Sequence, residues 1–262
     1  MSEGPPHLDA AGDSEAAFGY RNVAAAEKPS LVRGIFDSVA DRYDLMNDLM
    51  SAGIHRLWKA AMVDWLNPRA GQQFLDAAGG TGDIARRILE RLGPGGEHRS
   101  RVVVCDLTPR MLAVGRDRSI DRGILAGLDW VSGAAESLPF PDRRFDAYTI
   151  AFGLRNVTDL DAALAEARRV LKPGGRFLCL EFSHVTLPPL ARIYDLYSFG
   201  VLPGLGQIVT RDRDAYQYLV ESIRRFPTQQ ELAGRIEKAG LGQVKFRNLT
   251  GGVAALHSAW RI

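Results

Sequence analysis

The sequence contains few of the features that mark disulfide-stabilised, membrane-spanning or nucleic-acid-binding proteins. It has two cysteines in 262 residues, Cys105 and Cys179, and each lies in a short apolar run, which indicates core residues in a reducing compartment. No apolar run approaches ~18 residues, so no transmembrane helix is predicted. The net charge of +2 is too small to favour nucleic acid as a partner. No basic stretch precedes an apolar N-terminal core, so we expect a cytoplasmic protein without a secretory signal.

The composition that is present predicts one large domain with additions. Hydrophobic residues make up 46% of the chain and charged residues 24%, which is ordinary for a globular protein of this length. Residues 1–27 are rich in Ala, Gly, Ser and acidic residues, and we expect them to form a flexible arm that lacks stable structure by itself. Residues 28–262 form the predicted domain.

Short strand-like runs alternate with helical stretches over the middle of the chain. Two amphipathic helices precede the first run, and the predicted strands are 73–78, 101–105, 128–131, 145–152 and 176–182. This alternation predicts an α/β fold with a parallel sheet that carries helices on both faces. The alternation stops at segment 184–226. Two last strands, at 243–249 and 253–261, could form an antiparallel pair.

The stretch "FLDAAGGTGDIARRIL" reads as a strand, a glycine-rich turn and a helix. Gly79, Gly80 and Gly82 allow a tight turn and a close approach of ligand to backbone. The helix N-terminus that follows presents its amides. Gly80-x-Gly82-x-x-Ala85 also satisfies a loose dinucleotide fingerprint, so a nicotinamide-dependent oxidoreductase is an alternative.

Two acids and two alanines extend this nucleotide site. Asp76 ends the first predicted strand, and Asp106 ends the second, where a carboxylate can accept from both hydroxyls of a ribose. Ala134 and Ala135 follow the third strand and suit an adenine lying flat against backbone. Together with "LPF" before the fourth strand, these features resemble the class I S-adenosylmethionine-dependent methyltransferases.

The resemblance implies a Rossmann-like doubly wound sheet, mostly parallel with an antiparallel final strand. It also implies S-adenosyl-L-methionine as methyl donor and S-adenosyl-L-homocysteine as product. The residues expected to bind the donor are Asp76, Gly79, Thr81, Gly82, Asp106, Ala134, Ala135 and Ala151. Many relatives have asparagine at position 134 and serine at position 151, so side-chain hydrogen bonds at these two places are absent here.

Two longer stretches narrow the resemblance. "YDLMNDLMSAGIHRLW" (43–58) and "RVLKPGGRFLCLEFS" (169–183), with "FGLRNVTD" between them, resemble the ubiquinone/menaquinone biosynthesis C-methyltransferases, the UbiE/MenG family, from about Phe18 to the C-terminus. The resemblance implies methylation of a ring carbon of 2-methoxy-6-polyprenyl-1,4-benzoquinol, of demethylmenaquinol, or of both. It makes Tyr43, Asn47, Trp58 and Arg155 candidates for substrate contact. The helical spacing of Tyr43 and Trp58 is equally compatible with packing in a core.

The stretch "TIAFGLRNVTD" follows the fourth strand with an arginine and an asparagine. Ligands of a doubly wound sheet bind outside the carboxyl ends of the strands, so Arg155 and Asn156 are predicted catalytic residues. A phenol with a pKa of ~10 requires roughly 4 kcal/mol to ionise at pH 7, and an arginine can stabilise the resulting oxyanion. Asn156 could hold a ring oxygen or a water, and water or His55 could carry the proton. We expect no metal site.

Several partners are expected from the resemblance or left open. The polyprenylated quinol is the expected substrate, and segment 184–226 is either an insertion that covers the site and holds the isoprenoid tail or a plain helical subdomain. Contact with a quinone-biosynthesis complex, peripheral contact with the inner face of the membrane, and a homodimer are open, and no nucleic acid is expected. A non-catalytic scaffold with the same fold is the remaining alternative.

Overall fold

The computed structural model describes residues 15–39, 53–93, 100–186 and 213–262, with the single positions 48, 51, 95 and 189. The strands in this part of the chain are β1 Glu15–Phe18, β2 Arg21–Ala24, β3 Gln73–Ala77, β4 Arg101–Asp106, β5 Leu128–Ser132, β6 Phe145–Ala151, β7 Leu171–Phe182, β8 Gly242–Leu249 and β9 Ala254–Trp260. The α-helices are α1 Lys28–Val39, α2 His55–Leu66, α3 Asp83–Leu92, α4 Pro109–Asp121, α5 Leu160–Val170, α6 Arg213–Arg225 and α7 Gln229–Lys238.

Seven of the strands form one sheet in the order β5-β4-β3-β6-β7-β9-β8. β3 pairs in parallel with both β4 and β6, and β7 is parallel to β6. The last strand, β9, lies between β7 and β8 and runs antiparallel to both. The predicted α/β fold with an antiparallel final strand is therefore confirmed. The strand order reverses between β3 and β6, so the expected ligand site is at the carboxyl ends of these two strands.

The sheet separates two hydrophobic cores. Consecutive residues of β3 point to opposite faces, so Phe74 belongs to one core and Leu75 to the other. The first core includes residues of α2 and α3, such as Met62 and Ile88. The second includes residues of α5 and α7, such as Leu164. The inner strands β3, β4 and β6 are therefore buried on both faces, and their ends remain for ligands.

Residues 15–24, within the predicted flexible arm, form the β1–β2 hairpin. The ring of Phe18 lies 4.5 Å from the ring of Tyr218 on α6, and Arg225 Nη1 donates to the carbonyl oxygen of Gly19 at 3.1 Å. The hairpin is thus ordered by a helix some 200 residues away, a contact that local composition cannot reveal. The limits of the arm and of the domain stay predictions.

Two predicted substrate residues, Tyr43 and Asn47, lie outside the described residues. Most of the predicted insertion 184–226 also lies outside them. The structure describes only 184–186, position 189 and the part from α6 onward. In the described part of the chain, no helix combines the length and apolarity needed to cross a membrane.

Candidate active site

The turn after β3 is shaped by packing as well as by backbone conformation. Gly80 and Gly82 have φ of +55° and +72°, values that favour glycine. A Cβ on Gly82 would lie 2.6 Å from the Trp130 ring, and one on Gly79 would lie 2.9 Å from Asp76 Oδ2. Glycine is therefore required at 79 and 82 by protein neighbours, which adds to the expected role in approach to a ligand.

Only one of the two carboxylate oxygens of Asp76 has a hydrogen-bond partner among the described residues. The residue is 1% exposed, and its Oδ1 accepts from Thr149 Oγ1 at 2.9 Å. Its Oδ2 is buried without a hydrogen-bond partner among the described residues. Burial raises the pKa of Asp76 to about 7, and the nearby Ala85 amide opposes this shift without reaching hydrogen-bond geometry to Oδ2. A cationic ligand group would supply the missing partner.

A narrow cavity of about 30 Å³ opens beside this carboxylate. Its lining includes Lys59, Asp76, Thr81, Ala151 and Phe152. Four predicted donor-binding residues, Asp76, Gly79, Thr81 and Ala151, thus share one cavity, whose lining does not include Gly82. Lys59, on α2, is an addition that the sequence did not reveal.

A wide cavity of about 320 Å³ continues from the same turn. Gly80 and Phe152 line both cavities. The wall of the wide cavity also contains three predicted donor-binding residues and one predicted catalytic residue, namely Asp106, Ala134, Ala135 and Asn156. Apolar residues complete it, among them Pro29, Val32, Phe36, Met111 and Val157. The structure thus places three of the eight predicted donor residues in one cavity with Asn156, in mainly apolar surroundings.

Asp106 is fixed by the backbone around it. Its Oδ2 accepts from the amide of Gly80 and its Oδ1 from the amide of Thr108, both at 2.8 Å. Burial raises the pKa of Asp106, and these two hydrogen bonds oppose the rise. Each oxygen still has a lone pair for a hydroxyl donor, which is compatible with the predicted contact to a ribose.

Arg155 does not line the wide cavity or the narrow one. Its side chain is 1% exposed, and Nη1 lies 2.6 Å from Glu181 Oε1 at the end of β7. Nη1 also donates to the carbonyl oxygen of Phe152 at 2.6 Å, a residue with a φ of +57°. The arginine therefore fixes the strained turn after β6 to the end of β7. The predicted direct contact of Arg155 with the substrate stays a prediction.

Asn156 lies on the wall of the wide cavity in a defined orientation. Its Nδ2 faces the carbonyl oxygen of Phe152 at 3.5 Å, and its Oδ1 accepts from Tyr218 Oη at 3.1 Å. Burial raises the pKa of Tyr218 to about 12, so the hydroxyl remains a donor at neutral pH. One N–H of Nδ2 is then left for a ligand. The sequence did not reveal Tyr218, because its contact joins residues 62 positions apart.

Two other predicted residues, His55 and Trp58, line neither of the two cavities. His55 is 2% exposed, and its Nε2 lies 2.9 Å from Asp48 Oδ1. Burial and the charge of Lys59 lower the pKa of His55. Trp58 belongs to the first core and donates from Nε1 to Thr250 Oγ1 at 2.9 Å. Both lie on the buried face of α2, and their catalytic and substrate roles stay predictions.

Comparison with known proteins agrees with this geometry. The model of the ubiE/COQ5 methyltransferase family matches residues 21–261. The chain belongs to this family. The predicted resemblance and the predicted methyltransferase class of enzyme are therefore confirmed. Family membership leaves the nicotinamide-dependent alternative without support.

The family match is supported by similar curated proteins. A Brucella abortus protein named ubiquinone/menaquinone biosynthesis C-methyltransferase UbiE is 56% identical over 257 residues, covering 97% of this chain and 94% of its own length. A protein of the same name from Paracoccus denitrificans is 58% identical over 248 residues, covering 95% and 97%. These names agree with the predicted C-methyltransferase function.

Solved structures share the fold. A SAM-dependent methyltransferase of Thermotoga maritima superposes with a TM-score of 0.61 at 20% identity, over 88% of this chain and all of its own chain. Phosphoethanolamine N-methyltransferase 2 of Haemonchus contortus, in complex with S-adenosyl-L-methionine, superposes with a TM-score of 0.56 at 18% identity, over 78% and 52%. At these identities the likeness establishes the architecture alone.

Proposed function

We propose that the protein transfers a methyl group from S-adenosylmethionine to a ring carbon of a polyprenylated quinol, either 2-methoxy-6-polyprenyl-1,4-benzoquinol or demethylmenaquinol. The observation that carries this proposal is the unpartnered Oδ2 of Asp76, in a narrow cavity that shares Gly80 and Phe152 with an apolar cavity lined by Asn156. The ammonium group of the donor and the aromatic ring of the acceptor thus have adjoining cavities in which to bind. The names of the similar proteins support a quinol as acceptor.

The residues present fit the donor. Asp76 would accept from its ammonium group, because the buried carboxylate oxygen lacks another donor. Asp106 would accept from the ribose hydroxyls, and Ala134 and Ala135 would pack on the adenine, since all three line the wide cavity. When bound, S-adenosylmethionine supplies an electrophilic methyl group on a sulfonium ion.

Asn156 is the residue that we place against the acceptor oxygen. Its remaining N–H faces an apolar wall, where a hydrogen bond to a developing phenolate is stronger than in water. One well-placed donor of this kind contributes about 3 kcal/mol to a transition state that carries an oxyanion. That is a large share of the roughly 4 kcal/mol required to ionise a phenol at pH 7.

The Arg155–Glu181 pair serves in this proposal to position Asn156. A guanidinium 2.6 Å from a carboxylate leaves little net charge for a third group. Its bond to the carbonyl oxygen of Phe152 instead fixes the same turn that Asn156 contacts. Because His55 lines neither cavity, we assign the departing proton to water.

Removal of the Tyr218 hydroxyl is expected to slow methyl transfer without weakening donor binding. In Tyr218→Phe the ring still packs on Phe18, but Oδ1 of Asn156 loses its donor, and a lost hydrogen bond of about 1.4 kcal/mol is tenfold in rate. We expect the kcat of Tyr218→Phe to fall about tenfold and the kcat of Asn156→Ala to fall at least a hundredfold. The affinity of both variants for adenosylhomocysteine, measured by calorimetry, should not change. A Tyr218→Phe enzyme with full kcat would contradict this role.

The proposed function is tested by an acceptor-dependent methyl-transfer assay. The purified protein is incubated under reducing conditions with methyl-tritiated S-adenosylmethionine and a short-tailed benzoquinol, a short-tailed naphthoquinol, or no acceptor. We expect tritium in the organic phase with at least one quinol, and none with Asn156→Ala beyond a residual about a hundredth of wild type. Donor binding without transfer to either quinol would favour a non-catalytic scaffold and overturn the proposal.

The wider partners stay predictions. They are contact with a quinone-biosynthesis complex, with the membrane surface and with a second copy of the chain.

A further inference from the structure

Lys59 is a buried cation that the proposed function has not used. It lies on α2 with its side chain 4% exposed, and its Nζ is 2.9 Å from Asp83 Oδ2 in the first turn of α3. Both residues line the narrow cavity, together with Asp76. A lysine with this exposure requires a negative partner. Asp83 is this negative partner, but its carboxylate also pairs with two arginines.

Asp83 carries more positive neighbours than one carboxylate neutralises. Arg86 Nη2 lies 2.7 Å from Asp83 Oδ1, and Arg87 Nε lies 3.2 Å from the same oxygen. Burial alone would raise the pKa of Asp83, but the charges of Lys59 and Arg87 lower this pKa to about 2. Lys59, Arg86 and Arg87 carry more positive charge than Asp83 neutralises, and this excess on the Lys59 side of the cavity favours an anionic ligand group.

The other side of the same cavity has the opposite preference. Oδ2 of Asp76 is buried without a hydrogen-bond partner among the described residues and favours a cationic group. Lys59 and Asp76 line the same narrow cavity of about 30 Å³, so the two sites are close together. An α-amino acid head carries an ammonium and a carboxylate on one carbon, and it matches this pair of charges.

We propose that Lys59 binds the α-carboxylate of the methyl donor while Asp76 binds its α-ammonium. The proposal rests on the proposed function, because it takes S-adenosylmethionine as the ligand, and it adds a residue of α2 to the donor site. Lys59 would contact both the ligand and Asp83, so that donor binding joins the ends of α2 and α3. The competing interpretation is that Lys59 only links these helices through Asp83.

Calorimetry with three ligands separates the two interpretations. The ligands are adenosylhomocysteine, its decarboxylated analogue, which retains the ammonium, and methylthioadenosine, which lacks the whole amino-acid portion. The variant is Lys59→Met, which keeps most of the apolar stem. Arg86 and Arg87 remain on Asp83 in this variant, so the carboxylate keeps its ion pairs. Arg87→Met is the matched control, because it removes a cation from Asp83 that does not line the cavity.

For Lys59→Met we expect the affinity for adenosylhomocysteine to fall about 10- to 50-fold, as for loss of a charged hydrogen bond. The affinities for the decarboxylated analogue and for methylthioadenosine should change less than about threefold. Lys59→Arg should recover most of the loss, and Arg87→Met should change all three affinities less than about threefold.

An equal loss for all three ligands in Lys59→Met would show that Lys59 acts through Asp83 alone and would overturn the inference. Full affinity for adenosylhomocysteine would overturn it too. Failure of the proposed function looks different: a wild-type protein that binds none of the three ligands does not use this donor, and one that binds them without methylating a quinol is a scaffold in which the Lys59→Met result still tests the inference. Thermal unfolding of each variant, compared with wild type, identifies a variant that has not folded, and Lys59→Gln, which also removes the charge, then replaces Lys59→Met in the comparison.

Discussion

Asp76→Asn is expected to abolish donor binding and, at the same time, to stabilise the ligand-free protein. An amide in place of the carboxylate cannot neutralise the ammonium of the donor, so we expect the affinity for adenosylhomocysteine to fall at least about a hundredfold. Without ligand, the carboxylate of Asp76 destabilises the folded state, because one of its oxygens is buried without a partner among the described residues. An amide of the same size carries no charge to desolvate.

The stability effect depends on pH in a defined direction. Burial raises the pKa of Asp76 from 3.8 to about 7, so between these values the folded protein holds a proton that the unfolded chain has lost. The free energy of unfolding therefore falls as pH rises through this window and levels off above about pH 7. At ~1.36 kcal/mol per pKa unit the full cost is about 4 kcal/mol. The Asp76→Asn variant does not carry this cost.

Urea unfolding of the ligand-free proteins measures this cost. We expect Asp76→Asn to exceed wild type in free energy of unfolding by about 4 kcal/mol near pH 8, and by roughly 2.5 kcal/mol less near pH 5. Asp64→Asn is the control, since Asp64 is an exposed carboxylate in a surface ion pair. A gap between Asp76→Asn and wild type that did not grow with pH would contradict the linkage. Undiminished binding of adenosylhomocysteine would contradict the assigned role.

Loss of the Arg155 charge is expected to lower the free energy of unfolding strongly. In Arg155→Met the carboxylate of Glu181 stays 2% exposed without its cation, and removal of one partner from a buried pair costs about 3–5 kcal/mol of unfolding free energy. The double variant Arg155→Met/Glu181→Gln removes the charge and keeps one acceptor oxygen, for one of the two backbone amides of Arg155 and Phe182 that donate to Oε2 and Oε1 of Glu181. We expect it to be more stable than Arg155→Met by at least about 2 kcal/mol.

The same variants show how Arg155 serves the reaction. If it positions Asn156 by holding the carbonyl oxygen of Phe152, then Arg155→Met and Asn156→Ala remove one function, and the double variant should be no slower than Asn156→Ala. If the guanidinium contacts the acceptor directly, the two losses in kcat should multiply. Chemical denaturation and kcat, measured on variants that still bind adenosylhomocysteine, decide between these outcomes.

The fold and the donor half of the site follow from local sequence patterns. Apolar runs at 73–78, 101–105 and 145–152 predict β3, β4 and β6, because buried parallel strands are apolar on both faces. Asp76 and Asp106 were predicted from their place at strand ends, since parallel strands present these ends along one edge. The family match confirms the class of enzyme to which they point.

The acceptor half depends on contacts that sequence spacing does not show. The ion pair of Arg155 with Glu181 and the hydrogen bond of Tyr218 to Asn156 join residues 26 and 62 positions apart. An arginine after a strand looks the same whether it faces a ligand or the next strand. Lys59 was overlooked for a related reason, because its partner Asp83 lies on another helix.

The central claim is that a donor methyl group and a quinol ring carbon meet at the ends of β3 and β6. The most direct measurement is carbon NMR of the product formed from methyl-¹³C S-adenosylmethionine and a reduced short-tailed 2-methoxybenzoquinol. We expect the label in a methyl group on a ring carbon, absent when the Asp76→Asn variant replaces wild type. A label found only in a new methoxy group would mean that oxygen is the nucleophile, and it would contradict the claim.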